Sequence, residues 1–327
     1  MNAELTVRKT IAKHDLIPKG SRVVLGLSGG PDSLSLLTIL ARLQKPFDFK
    51  LEALHLNHLM RGADAEADVA FLEEYCAGIG VHLEVRRCDV YAKAAAENIS
   101  VEEAGRAARH QALKEYAGTD LIAFAHNRDD QAETVLMRML RGTGVHGLSA
   151  MEYKRPDGVI RPLLDTPRTE IERYCREHGL CPRYDSTNGS LEYTRNRLRL
   201  QLIPQLQEEY NPNLKEGLFR LSRSAAEDDD CLQAMARTFC QSSAVERSEG
   251  CITADKKALK ALHPAVFKRV VRLLFLELGL SEDIASSHLN SLQRTVNEGQ
   301  GRAVVEFPGG CSASTRAGKV IFCGPAR

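Results

Sequence analysis

Between Arg22 and Leu27 the chain reads R-V-V-L-G-L, a short apolar stretch rich in β-branched residues that predicts a buried strand. Beyond a short polar break, Leu34, Leu36, Leu37, Leu40 and Leu43 recur at helical spacing and predict a helix. The alternation then repeats. Leu51–Leu56 predicts a second strand, and Val69, Phe71, Leu72, Tyr75 and Cys76 mark a helix over 64–77. A third strand is expected over 81–90 and a fourth over 120–125, with a helix over 100–116 between them. That helix opens on the capping box Ser100–Glu103. Another helix is expected over 131–141, and an amphipathic helix over 5–17 precedes the first strand. Strands alternating with helices of this length predict an α/β fold, a parallel sheet with helices on both faces. Such sheets bind ligands at the carboxyl ends of their strands. The segments Ser28–Ser33, His55-Leu56-Asn57-His58 and His126–Glu133 each follow a strand and should gather on one edge.

Past residue 168 the pattern loosens. A short helix is expected over 169–178, a loop over 182–188, and a helix over 195–210 interrupted by Pro204. From Asn213 onward long helical patterns replace the alternation, through Leu218, Leu221, Ala225, Leu232, Met235 and Phe239. Val266, Phe267, Val270, Val271, Leu274, Phe275 and Leu278 form an apolar stripe that suits either a core or a homodimer face. The segments 302–307 and 319–323, around Pro-Gly-Gly, predict a terminal hairpin. The expected organisation is a catalytic α/β domain over 1–205, a helical linker over 206–225 and a mainly helical C-terminal domain over 226–327.

The polar breaks carry the chemistry. Ser28-Gly29-Gly30-Pro31-Asp32-Ser33 joins a strand to a helix N-terminus, where free N–H groups and the helix dipole favour an anion. Gly29 and Gly30 open the backbone to a phosphate, and Ser28 and Ser33 add hydroxyls. Asp32 would repel phosphate unless a cation lies between, so Mg²⁺ is its expected partner; a plain N-cap and tight turn is the structural alternative. The segment AHNRDDQAET sets Asp130, Glu133 and Thr134 on one helical face. Dipole compensation accounts for such acids in a single helix, but two anionic clusters on one sheet edge call for cations, Mg²⁺ or a substrate ammonium. His55 and His58 have weak zinc spacing; with Arg61 they suit phosphate or substrate contact, or loop packing. Arg106 and Arg109 share a helix face that is either solvated or a clamp on phosphate. Tyr193, Arg195, Asn196, Arg197 and Arg199 read as a basic helix end or as an RNA contact.

Composition narrows this picture only a little. The chain has 327 residues, 43% hydrophobic and 27% charged, the usage of a soluble protein. Its net charge of +1 neither favours nor excludes nucleic acid. No stretch approaches the roughly 20 apolar residues of a membrane span, and the first residues lack the apolar centre of a signal peptide, so a cytoplasmic location is expected. The nine cysteines are scattered without a Cys-x-x-Cys pair and are expected to be free thiols.

The hexapeptide Ser28–Ser33 resembles the pyrophosphate loop of the N-type ATP pyrophosphatases, Ser-Gly-Gly-x-Asp-Ser. Taken with HLNHLMRGADAEAD, SVEEAGRAARHQAL, AHNRDDQAET, RGTGVHGLSAM, IRPLL with Arg168, and DSTN followed by RNRLR, residues 20–205 resemble the tRNA(Ile)-lysidine synthetase family. The chain is similar to the shorter members, which lack a further C-terminal domain. The resemblance implies an adenine nucleotide α-hydrolase-like, Rossmann-related fold and a ligase forming a C–N bond. It implies ATP as substrate with Mg²⁺, and as partners free L-lysine and the isoleucine tRNA with a CAU anticodon, whose wobble cytidine becomes lysidine. The 226–327 domain would then help bind tRNA. Carried onto this sequence, ATP would meet Ser28, Gly29, Gly30, Pro31, Asp32, Ser33, His55 and His126. Asp32 would place Mg²⁺, Asp130 and Glu133 would receive lysine, and Asp32, Arg106, Arg109 and Asp130 would form the catalytic set. Arg195, Arg197 and Arg199 would grip tRNA. The rivals are a tRNA thiolase of the same superfamily, for which the cysteine pair is missing, a small-molecule amidating enzyme, and a non-catalytic nucleotide-binding module that would leave Asp32, Asp130 and Glu133 without a purpose.

Overall fold

The computed structural model describes residues 2–60, 62–183, 193–280, 284–298 and 303–325. Arg61 and the DSTN segment at 185–188 lie outside the described residues. The chain divides into the units Met1–Arg223 and Ser224–Arg327.

The first unit is built on β1 (Ser21–Gly26), β2 (Phe49–Asn57), β3 (His82–Arg87), β4 (Leu121–Ala123) and β5 (Val159–Ile160). All pair in parallel in the order β3-β2-β1-β4-β5, with Val23 opposite Leu51 on one side and Leu121 on the other. β1 is central, and its alternating side chains enter different cores. Val23 and Leu25 pack with Val7, Ile11, Leu36, Leu40, Leu72 and Ile171, from helices Ala3–Lys13, Pro31–Phe47, Ala63–Gly78 and Arg168–Glu177. Val24 packs the other way, with Ala108, Ala112 and Leu113 of the helix Val101–Ala117. Both faces are covered, which explains the unbroken apolar run of β1. The Ser100–Glu103 capping box closes in both directions. The expected strands are present within a few residues, while β5 carries no signal in the sequence.

Near the other end of β1, Arg22 donates to Glu52 Oε2 at 2.6 Å and to Asp120 Oδ2 at 2.9 Å. Tyr116 donates its hydroxyl to Glu52 at 2.8 Å. The Arg22 bond holds the buried Glu52 carboxyl down at about 2. This network is fully partnered and belongs to stability.

The helical segment around Pro204 runs as Thr194–Arg197, a wider π turn at Leu198–Leu202, and Ile203–Glu209. Proline has no N–H to give and crowds the preceding turn, so the chain widens just before it.

The second unit holds an antiparallel sheet, β6 (Val245–Ser248), β7 (Cys251–Asp255), β8 (Ala303–Glu306), β9 (Ser312–Arg316) and β10 (Lys319–Cys323), in the order β6-β7-β10-β9-β8. Helices Lys256–Lys260, Pro264–Glu277 and Ser286–Glu298 accompany it. The expected hairpin of 302–307 with 319–323 is corrected: β9 lies between them, and β10 pairs with β9 through Ala317 and Gly318, both at positive φ. That two-residue turn matches the twist of an antiparallel pair. The stripe of Pro264–Glu277 serves a core: Val266, Phe267, Val270, Val271, Leu274 and Phe275 are buried with Phe307 and Phe322. The expectation of free thiols fails for one pair, since Cys251 and Cys323 face each other across β7 and β10 and are bonded; the other seven cysteines form no disulfide. Among the described residues no helix is long and apolar enough to cross a membrane.

Candidate active site

The sheet order changes direction at β1 and β4, so the loops that follow these strands lie side by side. After β1, Gly29 takes φ +81°, a left-handed conformation that suits glycine. Pro31 occupies the first turn of the helix Pro31–Phe47, and no side chain caps that helix at Gly30. The buried Ser33 hydroxyl stitches the turn: its Oγ accepts from the Ser28 N–H at 3.2 Å, donates to the Gly30 carbonyl and lies 3.0 Å from Ser28 Oγ. An uncapped helix N-terminus on a preformed glycine turn is an anion site.

After β4, Asn127 caps the helix Arg128–Leu140 by accepting from the N–H groups of Asp129 and Asp130. Asn127 Nδ2 also donates to Asp32 Oδ1 at 2.9 Å, tying the two loops together. Asp32 is disfavoured as a charge. Burial and the nearby Asp130 raise its carboxyl to about 6, against the pull of Arg168, whose guanidinium lies 3.5 Å from Asp32 Oδ2.

Asp129 and Asp130 separate cleanly. Asp129 accepts from Lys215 Nζ at 2.7 Å and from the Arg168 N–H at 3.0 Å, which gives it a structural task. Asp130 accepts from the Asn127 N–H through Oδ2 and from Arg195 and Arg199 through Oδ1, at 3.1 and 2.7 Å. Glu133 receives the same two guanidiniums, Arg199 Nε at 2.6 Å on Oε1 and Arg195 Nε at 3.1 Å on Oε2. Burial opposes the Asp130 charge, but Arg195 and Arg199 outweigh it and hold the carboxyl below its ordinary value. The sequence pairs these acids with a substrate ammonium and these arginines with nucleic acid; the structure pairs them with one another. Two acids and two guanidiniums at contact distance cancel, and only Arg197 of the three arginines stays exposed.

A cleft of about 190 Å³ opens over the glycine turn, lined by Ser28, Asp32, Ser33, Arg106, Arg109 and His126. Both arginines stand on the helix Val101–Ala117 at the three-residue spacing that puts them on one face. Burial pushes His126 down to about 4, so its ring is neutral at physiological pH, and its Nδ1 is buried without a hydrogen-bond partner. A smaller cavity of about 100 Å³ adjoins Ser28 and includes His55, His58, Met60 and Arg109. His55 donates its Nδ1–H to the Leu27 carbonyl at 2.9 Å, and His58 Nε2 accepts from Arg109 at 3.3 Å. These partners leave the weak zinc reading unsupported, and among the described residues no group of three or more His, Cys, Asp or Glu could hold a metal ion.

Comparison with known proteins gives the family of the chain. Residues 2–206 match the family model described as a PP-loop domain, and residues 255–320 match the TilS substrate binding domain. The tRNA(Ile)-lysidine synthase of Geobacillus kaustophilus is 32% identical over 324 residues, which cover 97% of this chain and 69% of that protein. The chain belongs to the tRNA(Ile)-lysidine synthase family. Another member, from Clostridioides difficile, is 40% identical over 269 residues, covering 81% of this chain and 58% of that one. The chain thus spans about three fifths of the length of the first curated relatives it matches. Among solved structures, the U34-tRNA thiolase NcsA from Methanococcus maripaludis superposes with a TM-score of 0.55 at 22% identity, over 68% of this chain and 78% of that one. At that identity the likeness concerns the fold.

The family resemblance read from the motifs therefore holds, as does the parallel-sheet fold. Asn127 and Arg161 lie inside quoted motifs and Arg168 is named with them, but the sequence assigns none of the three a role in the site. Asn127 sits inside AHNRDDQAET and reads as a cap; its second bond, to Asp32, is set by the sheet order and not by spacing.

Proposed function

We propose that this chain is an ATP-dependent ligase that joins free L-lysine to C2 of the wobble cytidine in the CAU-anticodon isoleucine tRNA. The observation that carries this is the Asn127–Asp32 bond at 2.9 Å, which sets an uncapped phosphate turn directly against the acid–arginine cluster. In the first step cytidine O2 attacks the α-phosphate of ATP and pyrophosphate leaves. In the second the ε-amine of lysine attacks C2, AMP departs, and the amine gives up a proton.

The turn from Ser28 to Ser33 receives the phosphates, with backbone N–H groups and the helix dipole as the attraction. Arg106 and Arg109, which line the same cleft, stabilise charge that builds on the α-phosphate as its bond to pyrophosphate breaks. Neutral His126 contacts the adenylate without adding charge. His55 helps wall the adjoining cavity, which we assign to the nucleoside end of ATP. The net-neutral group of Asp130, Glu133, Arg195 and Arg199 suits the α-ammonium and α-carboxylate of an amino acid, one charge of each sign. Arg197 remains available to RNA phosphate. The second unit, which matches a substrate binding domain, adds tRNA contacts.

Magnesium fits beside Asp32. A carboxylate raised to about 6 by burial and a neighbouring acid gains from a cation, and the ion would be held by Asp32 and by phosphate oxygens. Its chemistry there is to neutralise the departing pyrophosphate. Sulfur transfer has less support, because among the described residues no cysteine lines either cleft beside the turn, and Cys175, against the Pro31 carbonyl, is buried.

The test uses purified protein, Mg-ATP, labelled lysine and the CAU-anticodon isoleucine tRNA. Label at the wobble cytidine with release of AMP and pyrophosphate is the expected result. Pyrophosphate release without lysine incorporation would overturn the choice of second substrate, and no tRNA-dependent release would overturn the reading as a whole.

A further inference from the structure

Beside the phosphate cleft lies a larger cavity, of about 440 Å³, within the same unit. The two share Arg106 and His126. The rest of its wall includes Arg138, Arg141, Arg155 and Arg161, and its one carboxylate is Glu152. Arg138 donates to the carbonyls of Gly147 and Ala150, and Arg155 pairs with Asp157. Among the described residues Arg106 and Arg141 have no ion pair.

Arg161 is the unusual member. It is 6% exposed, and among the described residues no carboxylate pairs with it, Glu152 and Asp157 acting only from a distance. One terminal N–H donates to the Glu152 carbonyl at 2.6 Å, and Nε is buried with no partner. Leaving a buried guanidinium without a counter-charge is costly, and burial pushes it down to about 10. His126 Nδ1, on the shared wall, is also buried and unpartnered. Two orphaned polar atoms on residues that line an arginine-rich cavity point to a ligand that brings negative charge and acceptor oxygens.

The phosphates of ATP already have the uncapped turn, and the α-amino and carboxylate groups of lysine suit a charge-balanced cluster. The remaining anion of the reaction is the RNA backbone. We infer that this arginine cavity binds the phosphodiester next to the cytidine that reacts, with Arg161 as its buried contact and Arg106 between it and the α-phosphate. The inference rests on the function proposed above. It places the target base at the shared wall, since a linkage seated in one cavity carries its base to the neighbouring cleft.

The experiment uses the full chain and anticodon stem–loop RNAs in which single linkages around the target cytidine are replaced by neutral methylphosphonates. Binding is measured by fluorescence anisotropy and modification by lysine incorporation. In the unaltered protein, one replacement flanking the cytidine should weaken binding by about tenfold while the others matter little. R161M should bind the natural RNA about tenfold more weakly and lose its sensitivity to that linkage. Its KM for ATP should stay within about twofold, and its salt slope should fall by about 0.7. If R161M does not fold, R141Q, at an exposed position, should reduce the salt slope, and the linkage scan on the unaltered protein stands alone. A flat scan, or an R161M protein that keeps the full penalty, overturns the inference. If intact RNA binds but accepts no lysine, the proposed function fails, and the scan still reports whether the cavity holds a phosphodiester.

Discussion

Asp32 is held where its own charge is disfavoured. Burial and Asp130 raise its carboxyl to about 6, while Asn127 and Arg168 restrain it only in part. The sign of the linkage follows. Between the unfolded value, near 3.8, and about 6 the folded protein binds the extra proton, so ionising Asp32 costs stability as pH rises through that window. D32N removes the charge and keeps the amide-sized shape. It should stabilise the ligand-free protein by about 1–2 kcal/mol at pH 8, a figure discounted for the part of Asp32 that water reaches. The gain should vanish near pH 4, while lysine incorporation falls by at least about a hundredfold. Urea unfolding across pH checks the first part. An asparagine variant no more stable than the parent at pH 8 would show that the carboxylate is not strained. Glu52 makes the contrast: buried too, it is met by Arg22 and Tyr116 and held at about 2, because its partners were supplied within the fold.

At the scale of the element, the Ser28–Ser33 turn is a loop whose shape depends on one backbone angle. Gly29 has φ +81°, and a Cβ there would meet Leu72 at 3.7 Å, which is ordinary contact. Space is therefore not the obstacle; the left-handed conformation is, at about 1–2 kcal/mol for an L residue. G29A should lower the thermal midpoint and weaken ATP binding by about tenfold, read by calorimetric titration. Unchanged affinity would mean that the turn does not need this angle to receive phosphate. The elements that could be read from the sequence are those with a repeating signal. The leucines of Pro31–Phe47, the capping box at Ser100 and the β-branched run of β1 all carry their structure locally. β5 is only Val159–Ile160, defined by pairing with β4, and no periodicity exists in two residues. β9 lacks apolar alternation, since Ser312–Arg316 buries only an alanine and a threonine deeply. The site divides the same way. SGGPDS and AHNRDDQAET were legible as motifs, but the closing of Arg195 and Arg199 on Asp130 and Glu133 depends on a helix more than sixty positions further along the chain. Arg161 is orphaned by its surroundings, which no spacing encodes.

Across the whole molecule, each unit is built on its own apolar residues. The first surrounds a parallel sheet with the clusters of β1 and its helices. The second has a core of residues from Ala236 to Phe322, with Phe275 at its centre against Phe307 and Phe322. The cleft over the glycine turn lies wholly within the first, lined from the loops after β1 and β4 and from the helix Val101–Ala117. Chains with separate cores need not unfold as one. Phe275→Ala removes a fully buried ring and should cost about 3–5 kcal/mol, the usual range for emptying such a site. In calorimetry it should move only the transition of the second unit. ATP affinity should remain within about twofold, whereas binding of the whole isoleucine tRNA should weaken, because the second unit is the one that matches a substrate binding domain. An equal loss of ATP affinity would mean that the phosphate cleft depends on the second core. Unchanged tRNA binding in a protein whose second unit has melted would leave the RNA to the first unit alone, with the arginine cavity as its principal contact.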